Sequence, residues 1–123
     1  MNDYLCDNVS YPSDEPYSAE SHMAYGALKE KSAVCEGYAC ATKLILNGCG
    51  VECDIEVGEC VNGEGHAWNL VKLKGKWYQL DVTWNDQSSK RTDYFLVTDE
   101  YMSHSRNWKR NNYPKSAKTK YKP

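Results

Sequence analysis

The chain has 123 residues, 41% of them hydrophobic and 26% charged, with ten Tyr, four Trp and a formal net charge of −2 at pH 7. That length supports one hydrophobic core and excludes two independent ones, and the apolar and aromatic content excludes a disordered chain. No run approaches the ~18 uninterrupted apolar residues of a membrane helix, and the opening MNDYLCDN is too acidic and polar for a signal peptide, so no membrane span is expected.

Residues 2–9 read as the tail of a helix already under way, as in an excised or naturally short domain. YPSDEPYS, residues 11–18, has two prolines and several turn formers and reads as a surface loop. Residues 21–30 have short-helix spacing. Ser32 is placed to cap a second helix running to about residue 47, because a serine oxygen accepts from the early backbone N–H groups of a helix. Cys35 falls in its first turn. Tyr38, Ala41, Leu44 and Ile45 form its apolar stripe, and Gly48 and Gly50 end it.

After Gly50 the period becomes strand-like. Val51, Cys53, Ile55 and Val57 alternate with Glu52, Asp54 and Glu56, as in a strand with one solvated face. NGEG, residues 62–65, is a turn, and residues 66–73 and 76–85 form two strands joined at Lys74-Gly75. Residues 94–97 are a fourth strand, and residues 98–103 a helical turn capped by Thr98. Helices first and an antiparallel meander second make an α+β fold, with a core over residues 1–108 and a basic tail over 109–123.

Charge is uneven, with eleven acids against three bases in residues 1–60 and seven bases and no acid from Arg106 onward. The tail reads as a solvated terminus pairing weakly with the acidic half, with anchoring to an anionic surface as the other reading. The six cysteines include no C-x-x-C, and no histidines fall in an H-x₃₋₅-H pair, which argues against a structural zinc domain. Disulfide pairing stays open, and Cys53 reads as a small buried hydrophobe.

The chemistry centres on three residues. A thiol in the first turn of a helix feels the positive end of the helix dipole, which favours the reactive thiolate. Gly37 two residues later is unfavourable in a helix, so another chain or a substrate is expected close to its backbone. With a two-residue turn at Lys74-Gly75, Leu73 faces Lys76, His66 falls opposite Thr83 and Trp68 opposite Asp81. His66 and Asp81 are then diagonal neighbours on one face, and a one-residue slip would separate them. A carboxylate on one ring nitrogen leaves the other for a thiol, the logic of a catalytic triad. His22 and His104 are alternative bases without a carboxylate placed by register, and Asp86 competes with Asp81 from the far end of YQLDVTW.

AYGALKEKSAVCEGYA and GHAWNLVKLKGKWYQLDVTWND resemble the two core motifs of the transglutaminase-like superfamily, and the likeness extends from about Asp3 to Trp108. The resemblance implies a papain-like fold, with the nucleophile at a helix N-terminus packed on an antiparallel sheet. It carries over Cys35 as nucleophile, His66 as base and Asp81 as orienting acid. It further implies thiol-dependent acyl transfer on peptide or glutamine amide bonds, with hydrolysis favoured over cross-linking, and needs no metal or cofactor. The expected partner is a protein or peptide substrate rather than nucleic acid, with a monomer as the default and an extracellular or cell-surface setting suggested by similar proteins. The Cys35 backbone N–H is the natural oxyanion donor, with Tyr25 or Tyr38 as a second, and Trp68, Trp77 and Trp84 either wall the cleft or pack the core. The competing reading is a non-catalytic module that uses this fold to bind peptides or cell-surface partners.

Overall fold

The computed structural model describes residues 1–13, 16–88 and 91–122. Asp14 and Glu15 of the expected loop, and Pro123 of the tail, lie outside the described residues. Helix α1 (Asn2–Asn8) buries Leu5 and Cys6 and stops where Val9 turns extended. The expected helix over 21–30 is instead two pieces, a 3-10 turn (Ala19–His22) capped by Ser18 and a π-helical turn (Gly26–Glu30). Met23 is extended between them, and Lys31 ends the second in the left-handed region at φ 60°. One reason for the break is contact, since a Cβ on Gly26 would sit 2.1 Å from the Glu20 carbonyl oxygen.

Helix α2 (Cys35–Gly48) starts two residues later than Ser32 would set it. Its N-cap is Val34, which has no polar side chain, and Ser32 bridges Ser10 of the incoming loop instead. Gly37 is explained by the chain itself rather than by a substrate: a Cβ there would lie 2.4 Å from the Ser21 carbonyl oxygen and 2.8 Å from the Ala33 side chain. The 3-10 turn therefore lies against the start of α2, and the Val34 N–H donates to that same Ser21 oxygen at 3.0 Å.

Five antiparallel strands follow in the spatial order β4-β3-β2-β1-β5. They are β1 (Cys53–Cys60), β2 (Gly65–Leu73), β3 (Lys76–Leu80), β4 (Phe95–Val97) and β5 (Arg106–Trp108). Leu73 pairs with Lys76 across Lys74 and Gly75, both at positive φ as a tight two-residue hairpin requires. The expected register holds out to Asn69 opposite Leu80. There β3 ends, five residues short of expectation, because Asp81 leaves the ladder to cap helix α3 (Val82–Gln87). Asn85 stabilises that departure, donating to Asn2 at 3.1 Å and accepting from the Tyr94 N–H at 2.8 Å. Helix α4 (Asp99–Ser103) is capped by Thr98, as its sequence indicates.

One sheet face packs on α1 and α2 through Leu5, Tyr38, Ala41, Val71 and Leu80. The other is not solvated: Trp68, Val97 and Met102 form a second cluster with Tyr94 and Trp108. The expected alternation of β1 holds at buried Cys53 and exposed Asp54 but reverses further on, where Glu56 is fully buried and Val57 is 55% exposed. The reading from alternation did not include β5, which covers β1 from its outer edge. The basic tail also packs rather than floating free. Ala117 donates its N–H to the Trp77 carbonyl at 2.8 Å, Tyr121 to that of Leu96 at 3.0 Å, and the Tyr121 ring meets Tyr78 edge-on at 5.3 Å. No helix among the described residues is long and apolar enough to cross a membrane.

Candidate active site

Cys35 is the first residue of α2. With Val34 unable to cap, the first-turn N–H groups receive no side-chain cap, so the positive end of the helix is directed at the thiol. The Tyr11 hydroxyl lies by the Cys35 backbone N–H, and burial pushes that phenol up to about 12.

His66 projects from β2 with its side chain only 7% exposed. Its Nε2 is 2.7 Å from Asp81 Oδ2. Asp81 is almost wholly buried and uses its other oxygen, Oδ1, to accept from the Trp84 N–H at 3.1 Å, so the residue that caps α3 also fixes the imidazole. Nε2 being occupied, Nδ1 is the nitrogen left for the thiol, and Cys35 is a hydrogen-bond partner of the ring. Burial works against the charged imidazole, yet hydrogen bonds and charge from Asp81 and Cys35 outweigh it and raise His66 to about 9. For Asp81 burial alone would raise the carboxyl, but His66 and Arg106 hold it below the usual carboxylate range.

Arg106, on β5, counts in the sequence only as the first of the seven C-terminal bases and carries no expected role in the site. It is 1% exposed, and its Nη1 donates to Asp81 Oδ2 at 2.5 Å. Its guanidinium packs over the Trp84 ring at 4.2 Å and the Trp68 ring at 4.8 Å, with Tyr94 at 5.6 Å. The available signal was the spacing of Arg106 and Trp108 in SHSRNW, which puts both on one face of a strand. Below this layer the Trp68 indole donates to Gln79 at 2.5 Å, and Gln79 donates to Asp99 at 2.8 Å. Glu56 faces the same layer with no hydrogen-bond partner in bonding geometry at either oxygen, and burial pushes it up to about 7.

Cys35 and His66 open on a cleft of about 650 Å³ walled by Tyr11, Tyr17, Val61, Glu64 and Trp84. The residues expected to contact substrate do not line it. Tyr38 is buried, its hydroxyl donating to Asp86 at 2.6 Å, and Trp68 is buried beneath His66, with ring centroids 5.8 Å apart. Tyr25 is half exposed and is not part of the cleft wall. Of the other tryptophans, Trp84 lines the cleft and Trp77 stacks under Lys72 on the surface. Asp86 is engaged by Tyr38 rather than by the imidazole, His22 pairs with Glu36 at 3.2 Å on the surface, and His104 is exposed. All six cysteines carry free thiols.

A thiol at a helix start whose cap residue has no polar side chain, and an imidazole held from behind by a buried carboxylate, both opening on one cleft, can generate a nucleophile and return a proton to a leaving group. Residues 1–82 match the transglutaminase-like superfamily, and the chain belongs to that family. Among individual proteins it is similar to the kyphoscoliosis peptidases of Mus musculus and Homo sapiens, each 26% identical over 94 residues. Those alignments cover 66% of this chain but 14% of either peptidase, so the chain spans a small part of its relatives' length. A crystal structure of a TGase superposes with a TM-score of 0.60 at 20% identity, over 67% of this chain and 24% of that one. A candidate cysteine protease from Cytophaga hutchinsonii superposes with a TM-score of 0.57 at 21% identity, over 68% of this chain and 29% of its own. These likenesses establish the papain-like α+β fold.

Proposed function

We propose that the chain carries out thiol-dependent acyl transfer on peptide or glutamine amide bonds, with Cys35 as nucleophile, His66 as base and Asp81 as its orienting acid. The observation that carries this reading is the imidazole itself, clamped through Nε2 to a buried carboxylate at 2.7 Å while its other nitrogen faces the thiol. A His66 raised to about 9 is protonated at neutral pH, which favours a thiolate–imidazolium pair over two neutral groups. The thiolate attacks the carbonyl carbon, His66 delivers its proton to the leaving nitrogen, and a Cys35 thioester remains for water to hydrolyse. The Cys35 backbone N–H, at the start of α2, supports the developing oxyanion. Hydrolysis is preferred to cross-linking; among the described residues the cleft wall carries one carboxylate, Glu64, to receive an amine. Similarity to two peptidases is in keeping with that preference. The catalytic unit in this reading is residues 1–108, with the tail bracing the sheet.

The test is intact-mass spectrometry during incubation with p-nitrophenyl acetate. An acetyl adduct that maps to Cys35, decays in water and is absent from Cys35→Ala and His66→Ala supports the reading. Adding a primary amine then measures partition between hydrolysis and transfer. No adduct on Cys35 would leave a peptide-binding module as the better account.

A further inference from the structure

Arg106 is more than a structural partner of Asp81. We infer that it is a positioning residue that keeps the reactive ensemble electrically neutral, so that Cys35 and His66 form their ion pair in the neutral pH range; this rests on the function proposed above. Its place in the site is built from three sides. Nη1 donates to the same Asp81 oxygen that holds His66, and the guanidinium packs over the Trp68 and Trp84 rings at 4.8 and 4.2 Å. Those two rings also contact the imidazole, at centroid distances of 5.8 and 5.6 Å. The stack therefore fixes Arg106 and His66 on a shared pair of indoles, and a shift in one displaces the other.

Charge counting gives the consequence. A Cys35 thiolate, a His66 imidazolium, an Asp81 carboxylate and the Arg106 guanidinium sum to zero. Without Arg106 the same ensemble carries a net negative charge around a carboxylate that is itself fully buried, and that charge becomes larger when His66 loses its proton. Both proton losses, the one that creates the ion pair and the one that destroys it, then require higher pH. A lone Asp81 would hold the imidazolium proton too firmly for its transfer to a leaving nitrogen, and Arg106 moderates that hold.

Other titratable groups face this ensemble. Cys60 and Tyr94 sense both Arg106 and Asp81 and are pushed up by burial, so they remain neutral near pH 7. Glu64 and Tyr11 lie on the cleft side of Cys35. Asp99 is linked through Gln79, and Glu56, raised to about 7, faces Arg106 from β1. Because Glu56 titrates inside the window of interest, the comparison is made in both the wild-type and the Glu56→Gln background.

The experiment follows the pH profile of Cys35 alkylation by iodoacetamide together with the NMR titration of the His66 ring, in wild type, Arg106→Gln and Arg106→Lys. A wild type without fast Cys35 alkylation contradicts the proposed function itself. If the wild type is fast, the inference expects the Cys35 alkylation midpoint and the His66 ring midpoint in Arg106→Gln both to move up by about one pH unit or more, with Arg106→Lys closer to wild type. Unmoved midpoints, or equal displacement in the Lys and Gln variants, would overturn it and reduce Arg106 to packing. Should neither variant fold, the wild-type guanidinium resonances decide. Their movement with the His66 midpoint supports the inference, and their indifference to His66 titration overturns it.

Discussion

Asp81 serves three partners with two oxygens, accepting from the Trp84 N–H, from His66 and from Arg106. Asp81→Asn keeps an oxygen for one of them but presents an amide N–H where an acceptor is needed, so the imidazole loses its tautomer. Ester hydrolysis by the variant, read as kcat/KM, is expected to fall on the order of 10³-fold or more. Stability should fall by about 3 kcal/mol, since Arg106 is left buried without its counter-charge, and urea denaturation measures this. Glu56 gives the opposite sign. Its folded carboxyl is raised from the usual range to about 7, so the unfolded chain loses its proton first and the fold is penalised as pH rises through that window. Glu56→Gln is therefore expected to stabilise the protein at pH 8 relative to pH 5 by roughly 2 kcal/mol, and equal effects at both pH values would show that Glu56 ionises normally.

At the scale of elements, much of the fold could be read from residue order. The Tyr38 and Ala41 part of the α2 stripe, the Lys74-Gly75 hairpin and the Thr98 cap follow from local periodicity and turn chemistry, whereas Leu44, expected in the stripe, is 59% exposed. His66 does meet Asp81, but Asp81 reaches it from the N-cap of α3 and not from the ladder position opposite Trp68 that the hairpin register gives it. What local reading missed has a common cause: the deciding partner is distant in sequence. Asp81 leaves a β-branched run because His66 and Arg106 hold its side chain, and Glu56 breaks the β1 alternation because the cluster of Trp68, Val97, Met102, Tyr94 and Trp108 lies on the second sheet face. Ser32 did not cap α2 because its backbone pairs with Ser10. Gly37 belongs to the same class, since its neighbour is the 3-10 turn sixteen residues earlier. Gly37→Ala gains helix propensity but collides with the Ser21 carbonyl, so a net loss of about 1–3 kcal/mol is expected in denaturant unfolding. A stabilised variant would mean that the turn can withdraw from α2 at little cost.

At the scale of the whole molecule, the segment read as a solvated tail holds the far edge of the sheet. Tyr121 packs on Tyr78, and two backbone hydrogen bonds tie the segment to Trp77 and Leu96, on the strands opposite the β5 edge. Truncation after Asn112 is expected to cost about 2 kcal/mol by urea midpoint while leaving Cys35 alkylation intact, because the tail lies away from the cleft. The account as a whole rests on the thiol. Cys6, Cys40, Cys53 and Cys60 are all pushed up by burial, which suppresses their thiolates and makes selective reaction at Cys35 readable against them. The most direct measurement is the iodoacetamide alkylation rate of each cysteine across pH, resolved by peptide mapping, in wild type and in His66→Ala. The account predicts fast alkylation at Cys35 well below the roughly 8.5 of a free thiol, and no such advantage in the variant. A Cys35 no faster than exposed Cys49, and indifferent to the loss of His66, would contradict it.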